Sequence, residues 1–177
     1  MIINHYKKIK NILLVFVLSI HTTLGLDIFE NQYLLKDCNG GDMKACLKFA
    51  NIYYHGAHNG IYDWNDCRVA VKPYKMACDS GKAEACYNLG QMYLFGGGVT
   101  IYPPKGYILL QKACDLEYAS GCSDLGFFYR EEIGLTKDYK KALKFYEKAC
   151  ILSKSSDFPH GCDSRDELLK LIKNMKL

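Results

Sequence analysis

Cysteine recurs in this chain at a fixed period, and that period limits the possible fold more than any other feature. Cys78, Cys114 and Cys150 are each 36 residues apart. Each is followed by a second cysteine, giving the pairs Cys38/Cys46, Cys78/Cys86, Cys114/Cys122 and Cys150/Cys162. The first three pairs each enclose seven residues. Cys38 to Cys78 and Cys122 to Cys162 are both 40 residues, so four residues are added in two places. Self-similarity at a period of this size marks a stack of supersecondary units.

The repeat extends to other residues, and their spacing gives its shape. Counted back from the first cysteine of a pair, position −4 holds Leu34, Tyr74, Leu110 and Tyr146. Position −8 holds Ala70, Gly106 and Ala142, and position −1 holds Asp37, Ala77, Ala113 and Ala149. Counted forward from the second cysteine, +3 holds Phe49, Leu89 and Leu125, +4 holds Ala50, Gly90 and Gly126, and +7 holds Tyr53, Tyr93 and Tyr129. Steps of three and four are the helical period. Each unit is therefore two helices, A ending at the first cysteine and B starting at the second. The small residue at +4 is expected to let helix B approach its neighbour, and the aromatic at +7 to fill the space between units.

Turn chemistry separates the helices. Asn39-Gly40-Gly41 and Asp79-Ser80-Gly81 lie between paired cysteines, and glycine ends helices by taking the left-handed conformation. Gly96-Gly97-Gly98, Pro103-Pro104 and Gly134 read as breakers between units. Pairing each cysteine with its near neighbour staples the turn of every hairpin, although sequence alone permits many other connectivities. The expected units are 27–64, 65–104, 105–138 and 139–177, the last with a C-terminal cap in which Asp166 and Leu169 replace the small residue and the tyrosine.

The N-terminus has a different character. Lys7, Lys8 and Lys10 precede an apolar run from Ile12 to Ile20, and Thr23 and Gly25 are the small residues of a cleavage site. Residues 1–25 read as a secretory signal peptide, the run being too short to span a bilayer. Nine cysteines in 177 residues fit export to an oxidising compartment, periplasmic or extracellular. Without residues 1–25 the chain has 20 basic and 19 acidic side chains. That balance gives no basic excess for nucleic acid.

The segments KMACDSGKAEACYNLGQMYLFGGGV and KACDLEYASGCSDLGFFYREEIGLTKDYKKALKFYEKAC resemble Sel1-like repeats, and more narrowly the Helicobacter cysteine-rich proteins. The resemblance covers roughly residues 27–177 and rests on the A-C-x7-C-x2-L-G-x2-Y signature. It implies an all-α fold, a right-handed α/α superhelix of tetratricopeptide-like hairpins with one disulfide per repeat. It implies two functions: a scaffold binding a protein or peptide on its concave face, along A-helix side chains, or a weak β-lactamase or penicillin-binding protein acting on β-lactams or cell-wall peptides.

The residues show no catalytic constellation, and no cofactor is expected. No serine has lysine three positions on, and Lys154-Ser155-Ser156 lacks the glycine of a K-T-G element. His55 and His58, placed in a loop near Gly56, are the only spaced histidine pair after residue 25, with His160 apart from them; no metal site is expected. Cys67 is the odd thiol. It opens a helix A and reads as a small buried hydrophobe, with an intermolecular disulfide as the alternative. Lys137, Lys140, Lys141, Lys144 and Lys148 form a basic stripe on the last helix A, either solvated or facing an acidic partner or a membrane surface, with Glu131-Glu132 as a local counter-patch. Tyr54, Tyr87 and Tyr118 lie off the repeat positions and read as packing or as peptide anchors.

Overall fold

A computed structural model describes residues 31–58, 67–153 and 160–175. The expected signal peptide, the Lys154-Ser155-Ser156 segment and the side chains of His58 and His160 lie outside the described part. The described residues form eight helices and no strand. Helix α1 covers residues 31–39. It is followed by α2 (Met43–His58), α3 (Arg68–Asp79), α4 (Ala83–Phe95), α5 (Pro103–Asp115), α6 (Ala119–Glu131), α7 (Tyr139–Ser153) and α8 (His160–Asn174). Odd-numbered helices are the A helices and even-numbered ones the B helices. From α2 onward each packs on the next in sequence, and a disulfide ties α1 to α2, so the described residues form a solenoid of helical hairpins.

Disulfides join Cys38 to Cys46, Cys78 to Cys86, Cys114 to Cys122 and Cys150 to Cys162. Their Cα atoms are 4.5, 4.6, 4.7 and 4.3 Å apart. The first three span identical backbone turns. The Gly41, Gly81 and Glu117 amides donate to the carbonyls of Cys38, Cys78 and Cys114, each at 3.0 Å. The next amides, of Asp42, Lys82 and Tyr118, reach back to Asp37, Ala77 and Ala113. This turn needs a left-handed residue, with φ of 99° at Gly41 and 89° at Gly81. In the third unit Glu117 takes the same conformation at φ 66°, a place where a side chain costs about 1–2 kcal/mol. Glu132 repeats this at the end of α6, at φ 60°, where α4 ends on Gly96.

The repeat positions form the core. Tyr74, Leu110 and Tyr146 at −4 are buried, as are Ala77, Ala113 and Ala149 at −1, and Phe49, Leu89 and Leu125 at +3. The small residues at +4 and −8 let each B helix meet the following A helix. A Cβ on Gly90 would lie 3.2 Å from the Gly106 carbonyl oxygen, and one on Gly126 would lie 2.7 Å from the buried Tyr146 ring.

The structure departs from the sequence expectation at three places. Pro103 and Pro104 open α5 instead of lying between units, because proline at the first helical positions gives up no hydrogen bond. Helix α2 runs on through His55 to His58, so His55 sits on a helix and not in a loop. Tyr53, Tyr93 and Tyr129 are only half-buried. Met92 and Phe128 one residue earlier, and Tyr54 and Leu94 one residue later, are the buried side chains there.

Gly126→Ala tests the close approach. In an open helix this change stabilises by about 1 kcal/mol. Against the Tyr146 ring it is expected to cost roughly 1–3 kcal/mol, the usual price of overpacking. Urea unfolding of the oxidised protein measures it; an unchanged or raised midpoint would show that the helices have room to spare.

Candidate functional site

Two grooves open at equivalent places in the repeat, each between successive A helices with a B helix beneath. The first, of about 470 Å³, lies between α1 and α3. Leu35, Phe49, Tyr53, Val69, Pro73 and Met76 make the lining mainly apolar, with Asn31, Gln32, Asn39 and Lys72 as its polar members. The other, of about 440 Å³, lies between α5 and α7 and is lined by Gln111, Asp115, Tyr129, Lys141, Lys144, Phe145 and Lys148. Tyr53 and Tyr129 are the +7 residues, so the position expected to fill space between units instead forms part of a groove wall.

Helix periodicity sets what each groove presents. Val69, Lys105 and Lys141 occupy one register of α3, α5 and α7. Lys105 lies 4.1 Å from the centroid of the Tyr93 ring and donates to its hydroxyl at 2.7 Å. Lys141 lies 5.2 Å from the Tyr129 centroid. Two residues before the first cysteine, Lys112 and Lys148 reach back to Asp79 and Asp115 of the preceding unit, each at 3.6 Å. Tyr129 also stacks on Phe145, with centroids 5.7 Å apart and planes 7° from parallel.

The basic stripe of α7 is thereby divided. Lys141, Lys144 and Lys148 line the groove, Lys137 lies 5.7 Å from the Tyr139 ring centroid, and Lys140 is exposed. Its counter-ions are Asp115 and Asp138. Glu131, expected to face the stripe, instead pairs with Arg130.

The B helices carry a separate polar ladder. Asn51 donates to Glu84 of the next B helix at 2.8 Å, and Asn51 accepts from Tyr74 at 2.7 Å and from Asn88 at 3.2 Å. Gln91 donates to Asp124 on the following B helix at 2.5 Å, and Tyr87 also hydrogen-bonds that carboxylate. Burial pushes the Asp124 carboxyl above its ordinary range, with the Tyr87 and Gln91 hydrogen bonds opposing the shift. Tyr87 and Tyr118 pack with centroids 5.2 Å apart, and burial raises both phenols. Tyr54 is buried edge-on to Tyr74 at 5.8 Å and is pushed up to about 12, chiefly by desolvation. Of the three off-register tyrosines, all pack within the array and none is an exposed anchor.

Cys67 lies outside the four disulfides and is fully buried, just before α3, in the cluster that holds Tyr54 and Tyr74. The glycine loop after α4 closes over it: a Cβ on Gly98 would meet the Arg68 nitrogen at 2.5 Å. A bridge to a second chain would require this corner of the core to open. Ser80 and Ser153 direct their hydroxyls to the carbonyls of Ala77 and Ala149. Among the described residues no group of three His, Cys, Asp or Glu could hold a metal ion, and none of their helices is long and apolar enough to cross a membrane.

A stapled solenoid of α-hairpins with inter-unit grooves is the architecture of a repeat scaffold. The Sel1 repeat family model matches residues 83–118 and 119–153. Residues 83–153 thus match two Sel1 repeats, and the fold is that of Sel1-repeat proteins. The family unit begins with helix B, so in that frame each disulfide links one unit to the next. No curated protein matches the chain. Among solved structures it is similar to c5321, a protective antigen of uropathogenic Escherichia coli with an SLR fold (TM-score 0.69, 24% identity, 79% of this chain). This chain spans only 28% of that antigen's length. It is also similar to a Sel1 repeat protein from Oxalobacter formigenes (TM-score 0.59, 24% identity, 68% of this chain and 88% of that one). Helicobacter pylori cysteine-rich protein B is 27% identical, with a TM-score of 0.53 over 75% of this chain and 89% of that one.

Asp124→Asn tests the polar ladder. A carboxyl whose folded pKa is raised contributes stability only below its unfolded pKa and loses it as pH rises through the folded one. The asparagine variant is therefore expected to equal or exceed the parent in urea-unfolding stability at neutral pH. Its relative advantage should disappear below about pH 4, near the ordinary aspartate pKa. A variant less stable at neutral pH than in acid, relative to the parent, would contradict the assigned direction.

Proposed function

We propose that this protein is an exported scaffold that binds a protein or peptide segment in the grooves between successive A helices. The observation that carries the reading is the repetition of the groove: the same register positions open one at each end of the array, each with a tyrosine in its wall. The first groove has the usual form of a recognition site, a concave and mainly apolar cleft with few polar groups. Four disulfides support residence in an oxidising compartment, periplasmic or extracellular. Cleavage after Gly25 would release such a chain. β-Lactam hydrolysis has no supporting constellation among the described residues.

Val69→Asp places a charge on the wall of the first groove at a half-exposed site and adds an acidic residue to the first turn of α3, where it is tolerated. Peptides are selected from a random library on the oxidised chain and titrated against both forms. Apolar peptides are expected to bind the parent at least about tenfold more tightly than the variant, a difference of about 1.4 kcal/mol. The chain recovered after export should begin at Leu26. Failure to enrich any peptide, or equal binding to both forms, would contradict the groove; an intact residue 1 on the exported chain would contradict the cleavage.

A further inference from the structure

The two grooves share a position but differ in chemistry, and the difference identifies a ligand class. Resting on the scaffold reading, we propose that the groove between α5 and α7 recognises an acidic protein segment, with carboxylates at Lys141, Lys144 and Lys148 and the neighbouring side chain against the Tyr129–Phe145 pair. Three lysines and a single carboxylate, Asp115, line this groove. In the first groove the register partners of Lys141 and Lys148 are Val69 and Met76, and only Lys72 matches Lys144.

The existing ion pairs leave these lysines available. Lys148 meets Asp115 at 3.6 Å, and Lys141 meets Asp138 at 3.8 Å. The four side chains are 34–63% exposed. Exposed pairs of this length contribute little, about 0–1 kcal/mol each, so an incoming carboxylate can displace them at small cost. Lys144 makes no ion pair among the described residues and is exposed. The stacked rings supply an apolar, low-entropy surface beside the charges, and charge complementarity confers selectivity and a fast encounter rate.

The test uses the oxidised full chain and fluorescein-labelled short peptides that alternate leucine with glutamate, glutamine or lysine. Vesicles of neutral lipid with and without an anionic phospholipid form a separate arm. The glutamate peptide is expected to bind about tenfold more tightly than the glutamine peptide at low salt. That preference should fall with added salt. The triple variant Lys141→Gln, Lys144→Gln, Lys148→Gln should abolish it, while Lys170→Gln, on the exposed surface of α8 and outside both grooves, should leave it intact. Circular dichroism verifies that each variant is folded. Equal binding of glutamate and glutamine peptides, lost in Val69→Asp, would overturn the acidic preference and leave the scaffold reading standing. Binding to anionic vesicles with no peptide preference would overturn it in favour of a lipid surface. Binding of no peptide at all would remove both readings.

Discussion

A sulfur–sulfur bond across the hairpin turn, three residues long in the first three units, sets the relation of each A helix to the B helix after it. In the first three units it closes over the same pattern of backbone hydrogen bonds, so the hairpin angle is fixed by covalent and hydrogen-bonded geometry together. A helical hairpin has too little apolar surface to stand alone, and each unit of a solenoid is stabilised only by its neighbours. On the chain-entropy account, bridges closing loops this short contribute roughly 2.5–3 kcal/mol each. Four of them are comparable with the whole stability of a typical domain, about 5–15 kcal/mol.

The second constraint is the close contact between each B helix and the A helix that follows. It depends on small residues at two registers: Ala50 and Ala70, Gly90 and Gly106, Gly126 and Ala142. This contact leaves the successive A helices apart on either side of a B helix, and the grooves form in that separation. The disulfide fixes the hairpin, the small residues fix the stacking, and side chains at −9, −6 and −2 are then free to vary from groove to groove. That freedom allows one backbone plan to present an apolar groove at one end and a basic groove at the other.

The core was legible in the sequence because it obeys strict periodicity: residues at −8, −4, −1, +3 and +4 are buried from α2 to α7, whereas in α1, at the end of the array, Leu34 at −4 is half-buried and Asp37 at −1 is exposed. The grooves were less legible, and the reasons are physical. A tyrosine at +7 satisfies the apolar period with its ring while its hydroxyl stays at the surface, so period alone does not distinguish a core residue from a groove wall. The left-handed turns at Glu117 and Glu132 carry no glycine, and backbone hydrogen bonds hold what composition would not suggest. The counter-ions of the α7 lysines are Asp138, just before the helix, and Asp115, a full helix away in sequence, instead of the nearby Glu131. The alignment did contain a signal for the basic groove: Val69, Lys105 and Lys141 share one register, and only their comparison separates the groove chemistries.

The account makes the staples decisive, and native-condition reduction tests this most directly. The oxidised and fully reduced chains are compared by circular dichroism during urea unfolding, with thiol titration to verify each state. The expected result is a cooperative transition when oxidised and a loss of cooperative helical structure, or a midpoint lowered to near zero urea, when reduced. Superimposable transitions in the two states would show that packing alone holds the array, and would contradict the central role given to the disulfides.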